Sequence, residues 1–330
     1  MTIGFTYDLR SDYLKEGYTE EETAEFDRES TVEGIESALL SLGFRVDRIG
    51  HAVRLTERLV RGDRWDMVFN ICEGMNGIGR EAQVPAILDL YRIPYTFSDP
   101  LVLSLTLHKG LTKRVLRDAG IATPEFLLVE KEGDWEGNRP DFPLFVKPNA
   151  EGTGKGISAS SRVDSPAQLA SICRELLARY PSGLIVEEYL PGREYTVGIL
   201  GTGVDAHAAG IMEILHRDAG SNGIYSYNAK AEYEAKVRYA VPGPDVAGPC
   251  ISLALAAWRV LGCRDGGRVD IRTDRHGVPG FMEVNPLAGL DRVHSDLPIL
   301  AYMHGYTFEG IISEIMDSAM ARYGITKKPA

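Results

Sequence analysis

The sequence lacks the features that mark secreted, membrane-spanning and zinc-binding proteins. It has four cysteines in 330 residues, none in a CxxC pair, and its seven histidines show no metal spacing. No apolar run approaches the roughly 18 residues that cross a bilayer. The first residues, MTIGFTYDLRSDY, lack the basic and apolar regions of a signal peptide. We therefore expect a cytoplasmic protein with reduced cysteines and no membrane contact.

A basic excess and a P-loop are also missing. The formal net charge of −11 at pH 7 argues against a nucleic-acid binder, which normally has a basic surface, but still allows a local basic pocket for phosphate. The motif GxxxxGK[ST] is absent. With 44% hydrophobic and 25% charged residues the composition is that of a globular protein, and the length predicts two or three domains.

Strands alternate with helices in the first third of the chain, which predicts a parallel α/β sheet. Strands are expected at Thr2–Tyr7, in FRVDRIG and at Trp65–Cys72, and helices at Thr31–Leu42, 55–60 and Val84–Tyr91. The loops 8–28 and 73–83 follow two of these strands. Because ligands bind beyond the carboxyl ends of parallel strands, both loops are expected to face a ligand.

A strand that ends in a lysine leads into a glycine-rich loop, VKPNAEGTGKG. Glycine lets backbone N–H groups approach phosphate oxygens, and Lys147 supplies a positive charge, so the segment is a candidate phosphate cradle. Surface hairpins also contain three glycines, and that alternative stays open. Downstream, in VEEYLPGRE, Glu187 and Glu194 face either a nucleotide or solvent. Upstream, the residues from Pro100 to Ala119 have a helical pattern, and a second helix is expected at about Ser165–Tyr180.

The segment RVDIRTDRHGVPGFMEVNPLAG predicts a β-hairpin, because two alternating stretches flank a turn. Residues two apart in a strand share a face, so Arg268 and Asp270 point to one side, and Glu283 and Asn285 to one side of the partner strand. If the two faces coincide, the hard oxygen ligands suit Mg²⁺. The alternative is a solvated hairpin face with mixed charges.

The polar, turn-rich segment from His216 to Tyr239 is interpreted as a long functional loop. A helix is expected at Asp245–Leu261, before the hairpin, and an amphipathic helix at Glu309–Tyr323 closes the chain.

The order of these pieces resembles the ATP-grasp superfamily, and within it the D-alanine–D-alanine ligase family. The resemblance extends from about Trp65 to Tyr323. It is carried by IPYTFSDPLVLSLTLHKGLTKRVLRDAGIATP, FPLFVKPNAEGTGKGI, IVEEYLPGREYTVGILG, YSYNAKAEY, and RVDIR followed by MEVNPLAGL. Five motifs in order with matching spacing make a chance match very unusual.

The resemblance implies a mixed α/β and α+β architecture, the ATP-grasp fold. An N-terminal parallel α/β domain would span residues 1–104, a central lid 105–190, and a C-terminal domain with the metal and acceptor site 191–330. ATP would lie between the last two domains. A homodimer is implied by the resemblance alone.

The same resemblance assigns ligands. Lys109 and Lys147 would contact the ATP phosphates, with the loop containing Thr153 and Gly154 closing over them and Lys230 reaching them from the other side. Adenine and ribose would be held by Glu187, Glu188, the backbone near Leu190, and Glu194. Two Mg²⁺ ions, or Mn²⁺ in their place, would be bound by Asp270, Glu283 and Asn285.

The implied reaction joins two amino acids. ATP phosphorylates a carboxylate, and an amine then displaces phosphate from the acyl phosphate. Arg268 and the backbone N–H of Gly289 would stabilise the oxyanion. Ser295 would hold the carboxylate of the second substrate, and Glu25 the ammonium of the first. The default product is D-alanyl-D-alanine, for peptidoglycan synthesis.

The chain departs from the family pattern in its amino-acid half. Loop 8–28 is longer and more acidic than usual, and Glu25 is its best match to the family glutamate. Loop 73–83 differs, with Glu73 and Glu81 available, and Ala231 stands where a tyrosine is usual. A ligase for another amino acid or a dipeptide-like substrate is therefore one alternative, and an ATP-grasp phosphotransferase another. An ATP-binding scaffold without chemistry is disfavoured, because the oxyanion arginine and all three metal ligands are present.

Overall fold

The structure, a computed structural model, describes residues 1–216 and 237–326 and contains three β-sheets within them. No helix in those ranges is sufficiently long and apolar to span a bilayer. The strands are β1 Thr2–Tyr7, β2 Arg45–Arg48, β3 Met67–Ile71, β4 Phe126–Val129, β5 Leu144–Pro148, β6 Arg162–Val163, β7 Leu184–Glu188, β8 Glu194–Leu200, β9 His207–His216, β10 Val237–Ala240, β11 Gly266–Thr273 and β12 Pro279–Asn285. The helices are α1 Arg10–Lys15, α2 Glu29–Ser41, α3 Ala52–Val60, α4 Gln83–Tyr91, α5 Pro100–Leu107, α6 Lys109–Asp118, α7 Pro166–Arg179, α8 Pro244–Leu261, α9 Asp296–Met303 and α10 Phe308–Arg322.

The first sheet is parallel, in the order β2-β1-β3, as the alternation of strands and helices predicts. β3 is buried along its whole length, which is the pattern of a strand covered on both faces. The carboxyl ends of β1 and β3 lead into loops 8–28 and 73–83. These loops meet, because the backbone N–H of Gly74 donates to Asp8 Oδ2 at 2.8 Å. The loops predicted to face a ligand therefore lie together.

The other two sheets are antiparallel. A four-stranded sheet, β4-β7-β5-β6, packs against α7, which buries Leu169, Ile172, Cys173 and Leu176. The five-stranded sheet, β10-β9-β8-β11-β12, packs against α8 on one face. Its other face shares a core with α9, α10, α2 and the first sheet. Each predicted domain thus holds one sheet, while the boundaries between the domains stay a prediction.

The helical pattern at 100–119 proves to be two helices rather than one. His108, between α5 and α6, has an extended backbone, and its ring nitrogen accepts from the Leu111 N–H at 3.1 Å. The break has a tertiary cause. The N–H of Lys109 donates to the carbonyl of Asn149, and the N–H of Gly110 to the Asn149 side chain, at 3.0 and 3.1 Å. The start of α6 is therefore fixed to the glycine-rich loop.

Two further expectations need correction. The predicted loop at 216–239 ends in strand β10, which pairs with β9, and most of the loop, with Lys230 and Ala231, lies outside the described residues. Helix α9 was not predicted, because DLPILAYM is apolar around most of its surface and gives little periodic signal. Its burial between the five-stranded sheet and α10 stabilises it instead.

We expect Gly267→Ala to lower the free energy of unfolding by about 1–3 kcal/mol, as overpacking does. A β-carbon at this position in β11 would lie 2.5 Å from the carbonyl oxygen of Asn285 and 2.7 Å from the Trp258 ring. Urea denaturation measures the change. Gly248→Ala in α8 is the control, because its β-carbon meets nothing within 4 Å and alanine favours helix. Equal stabilities of the two variants would contradict the expected clash.

Candidate active site

A cavity of about 310 Å³ opens where the first sheet, the glycine-rich loop and the β11–β12 hairpin approach each other. It brings together many of the residues predicted from sequence. Those that line it are Glu25, Lys109, Thr153, Arg268, Glu283, Asn285, Gly289 and Ser295. Those that do not are Lys147, Gly154, Glu187, Glu188, Leu190, Glu194 and Asp270. Lys230 lies outside the described residues.

The hairpin prediction is confirmed, and the two polar faces coincide. Arg268 pairs with Asn285, and Asp270 with Glu283, in the antiparallel register of β11 and β12. Asp270 is held from both sides: Thr196 Oγ1 donates to its Oδ1 at 2.9 Å, and the Arg268 guanidinium contacts both of its oxygens. The alternative of a solvated hairpin face is excluded, because the side chains of Arg268 and Asp270 are only 14% and 15% exposed.

The two hairpin carboxyls experience opposite electrostatic environments. Burial raises the pKa of Asp270 to about 6, with Glu283 and Asp296 adding repulsion against the attraction of Arg268. Burial acts in the same direction on Glu283, but Lys109, Lys147 and Arg268 outweigh it and hold the pKa of Glu283 well below its usual range. Lys109 Nζ lies 3.4 Å from Glu283 Oε2. A nearby divalent cation would favour the ionised form of Asp270.

The donor set fits Mg²⁺. Among the described residues no three His, Cys, Asp or Glu side chains cluster as metal ligands, so this site would offer two carboxylates and the Asn285 amide. Mg²⁺ keeps several waters and takes its remaining oxygens from substrate phosphates, so a small set of hard oxygens suffices.

Behind the hairpin lies a buried charge cluster. Glu187, which is fully buried, forms ion pairs with Lys113 at 2.7 Å and with Lys147 at 2.9 Å. Lys113 also donates to the carbonyl of Phe281 in β12, at 3.1 Å. Burial lowers the pKa of Lys113 to about 8, against the attraction of Glu187. The cluster therefore connects α6 and the four-stranded sheet to the β11–β12 hairpin.

We expect Lys113→Met to lower the free energy of unfolding by about 3 kcal/mol, the lower end of the cost of breaking a buried ion pair, since Lys147 remains. The substitution leaves a fully buried Glu187 with a single cation. Chemical denaturation measures it against Lys131→Met, which removes an exposed lysine. A Lys113→Met variant as stable as that control would show that Glu187 does not depend on Lys113.

The glycine-rich loop contains a strained threonine. Thr153 has φ +49°, a left-handed conformation that β-branched residues rarely adopt. Its hydroxyl oxygen is buried and has no hydrogen-bond partner among the described residues. Lys109 Nζ donates to the Glu151 carbonyl at the start of this loop, at 2.5 Å. Backbone strain at an unsatisfied hydroxyl points to a ligand-binding role, and a phosphate oxygen is the partner that fits.

Glu25 has partners inside the protein. Its carboxylate accepts from Arg80 at 2.9 Å and from the backbone N–H of Gly152 at 2.7 Å, and it lies 3.4 Å from Lys155 Nζ. Despite its burial, Arg80 and Lys155 hold the pKa of Glu25 below its usual range. A β-carbon on Gly152 would lie 2.4 Å from Glu25 Oε1, so only glycine allows this approach. The predicted ammonium-binding role of Glu25 stays a prediction.

One end of the cavity is formed by the segment before α9. Ser295 precedes the first turn of this helix, and its hydroxyl accepts from the Asp291 N–H at 2.9 Å. Gly289 lies beside it, since a β-carbon there would be 2.7 Å from the Ser295 oxygen. The Gly289 N–H donates to no described residue. A free backbone donor and a helix N-terminus therefore lie near Arg268, whose guanidinium is 3.7 Å from Asp296.

The residues predicted to hold adenine and ribose lie away from the cavity, where β7 is followed by β8. Glu188 is exposed, Leu190 is buried, and Glu194 is 3.7 Å from the Arg272 guanidinium. Arg272 also donates to the Tyr189 hydroxyl at 3.4 Å. The Arg272–Tyr189 contact connects the five-stranded sheet to the end of β7, a strand of the four-stranded sheet.

Sequence reasoning missed the cations around Glu25 and named Glu73 and Glu81 without assigning either a role. Lys155 lies in the quoted motif GTGKG, and Arg80 in GIGRE, so local signals existed for both. Glu81 and Glu73 line the cavity from loop 73–83. Burial raises the pKa of Glu81 to about 7, and that of Glu73 well above its ordinary value, each with added repulsion from neighbouring carboxyls.

The chain is similar to known proteins along most of its length. A family profile described as "D-ala D-ala ligase C-terminus" matches residues 115–317. A D-alanine–D-alanine ligase of Bordetella petrii is 32% identical over 298 residues, 88% of this chain and 86% of that protein. An uncharacterised protein of Sinorhizobium fredii, y4sG, is 33% identical over 78% of this chain and 75% of its own length. The crystal structure of D-alanine–D-alanine ligase from Bacillus anthracis complexed with ATP superposes with a TM-score of 0.73 at 22% identity, covering 98% of this chain and 99% of that one.

Proposed function

Since the chain belongs to the D-alanine–D-alanine ligase family of ATP-grasp carboxylate–amine ligases, we propose that it joins two D-alanine molecules at the expense of ATP. The relatives named D-alanine–D-alanine ligase are about a third identical over most of the chain, which supports this substrate. The product would be a precursor for peptidoglycan synthesis, and we place the reaction in the cytoplasm. A homodimer stays a prediction.

One observation carries the proposal: a single cavity is lined by the glycine-rich loop, by Glu283 and Asn285, by Arg268 and by Gly289, and Asp270 lies beside Glu283 in the hairpin register. In the reaction, a carboxylate oxygen of the first D-alanine takes the γ-phosphoryl group of ATP, and ADP leaves. The amine of the second D-alanine attacks the carbonyl carbon, and the C–O bond to phosphate breaks. The glycine-rich loop and the metal-type donors serve the phosphoryl transfer, and Arg268 and the Gly289 N–H serve the attack of the amine.

Each of the described site residues has a role in this reaction. Lys109 and the loop around Thr153 bind the phosphates, Lys147 supplies a further positive charge, and Glu187 holds Lys147 in place. Asp270, Glu283 and Asn285 would hold Mg²⁺, which when bound would neutralise charge on the transferring phosphoryl group. Arg268 and the Gly289 N–H stabilise the oxyanion formed by attack of the amine. Ser295 orients the second carboxylate at the start of α9.

Glu188, Leu190 and Glu194 would bind the adenine and ribose of ATP. We assign the adenine to the β7–β8 connection and the ribose to Glu194, with Gly154 in the loop that would close over the phosphates. The contact of Arg272 with both Glu194 and Tyr189 supports this arrangement, because it fixes the connection against the five-stranded sheet.

Phosphate release from Mg²⁺-ATP, measured with single D- and L-amino acids and then pairs, tests the proposal. We expect strong stimulation by D-alanine and formation of the dipeptide. Stimulation by another amino acid alone would keep the ligase class and replace the substrate. A stable phosphorylated product that forms without an amine would instead indicate a phosphotransferase.

A further inference from the structure

The wall of the cavity carries a carboxylate that no described residue neutralises directly. Glu81 lies in a short 3-10 turn, residues 80–82, is only 9% exposed, and lines the cavity. Among the described residues it has neither a hydrogen-bond donor nor a cation within ion-pair distance. A buried carboxylate without a partner is costly, so it requires protonation or a positively charged ligand.

Arg80, the neighbour of Glu81 in sequence, does not supply the cation that Glu81 needs. The Arg80 guanidinium donates to the Glu25 carboxylate at 2.9 Å and to the Ala150 carbonyl at 3.0 Å. It thereby joins Glu25 to the glycine-rich loop. Lys109, the other cation that acts on Glu81, lies 3.4 Å from Glu283 and donates to the Glu151 carbonyl, and Lys155 approaches Glu25. The described residues therefore satisfy Glu25 and leave Glu81 without a direct partner. Of the two, Glu81 is the better placed to receive a substrate cation.

We propose that Glu81, with Glu73 beside it, holds the ammonium group of the first amino acid. This inference rests on the proposed function, which requires that amino acid to place its carboxylate towards Lys109 and Arg268. Its ammonium then points away from the hairpin, towards loop 73–83. Glu25 in this arrangement is a positioning residue that holds the glycine-rich loop over the phosphates through Gly152.

The charges around Glu81 give the subsite a pH dependence. Arg80 and Lys109 favour its ionised form, while Glu25 opposes it and Glu73 adds a second nearby carboxyl. Burial dominates and raises the pKa of Glu81 to about 7. Because only the carboxylate attracts an ammonium, selection for that group should strengthen as the pH rises through this value.

The test compares D-alanine with propionate, which has the same carbon chain and lacks the ammonium. Hydroxylamine traps the acyl phosphate: its nitrogen attacks the carbonyl carbon, phosphate leaves, and a hydroxamate forms. The ratio of kcat/KM for the two acids in the trapping reaction measures recognition of the ammonium. A loss of folding or of ATP binding lowers both rates and leaves the ratio unchanged.

We expect Glu81→Gln to lower this ratio by about 10- to 100-fold, the value of a charge-assisted hydrogen bond, and to remove its rise with pH. Glu33→Gln, an identical change on the exposed face of α2, should leave both unchanged. A Glu81→Gln variant with the wild-type ratio overturns the assignment, while dipeptide formation by the wild type leaves the proposed function standing. Wild-type protein that makes neither hydroxamate nor dipeptide from D-alanine overturns the proposed function and this inference with it.

Discussion

Replacing either carboxylate of the hairpin is expected to reduce turnover by at least about 10²- to 10³-fold, because metal ions supply several kcal/mol of transition-state charge stabilisation. The variants are Asp270→Asn and Glu283→Gln, which keep side-chain size and remove one negative charge. The two residues face each other in the hairpin register, so each variant leaves one carboxylate where the proposed site needs two.

The measurement is Mg²⁺-dependent phosphate release with D-alanine present, as a function of Mg²⁺ concentration. Raised Mg²⁺ should recover part of the activity if affinity for the metal is what the substitution lowers. Asp118→Asn, at the exposed end of α6, is the matched control and should behave as wild type. Unaltered Mg²⁺-dependent activity in Asp270→Asn or Glu283→Gln would refute the metal assignment.

Removing the guanidinium of Arg268 should slow bond formation by about 10²- to 10³-fold, the cost of one oxyanion donor. The side chain is 14% exposed, contacts Asp270 and lies 3.7 Å from Asp296, so its position is fixed before substrate arrives. A preorganised donor contributes mainly as charge develops on the oxyanion. Arg268→Ala should therefore lower kcat far more than it raises the KM for ATP.

Two further variants test this prediction. Arg268→Lys keeps the charge and loses the planar fork of donors, so its rate should fall between those of wild type and Arg268→Ala. Arg174→Ala, which removes an arginine 59% exposed on α7, should leave the rate unchanged. Turnover of Arg268→Ala at the wild-type rate would remove this residue from the oxyanion site.

Local patterns were sufficient for most of the secondary structure and for the centre of the site. The β11–β12 hairpin was predictable because side chains alternate with period two and DRHG marks a turn, so Arg268 and Asp270 could be placed on one face of their strand and Glu283 and Asn285 on one face of the partner strand. That the two faces coincide was decided by the register of the hairpin. The parallel order of the first sheet followed from the alternation of strands and helices. The resemblance of five ordered motifs predicted the family, and the comparisons confirm it.

The secondary-structure predictions that were wrong failed because tertiary contacts override the local sequence pattern. The helical pattern over 100–119 is interrupted at His108 because Asn149, some forty residues later, holds the start of α6. Helix α9 escaped detection because it is buried on most sides and shows no polar stripe. The end of the predicted loop at 216–239 became a strand because β9 offered an unpaired edge.

The sequence by itself determined the fold class and the set of groups that the chemistry needs, because strand and helix periods and ordered motifs are local properties. Only the tertiary structure decided how the charges are paired. Glu25 meets Gly152 across 127 positions of sequence and Arg80 across 55, and these contacts satisfy it, while Glu81 lines the cavity without a partner among the residues that the structure describes. Ion pairing depends on distances in space and on burial, and neither can be read from the spacing of residues along the chain.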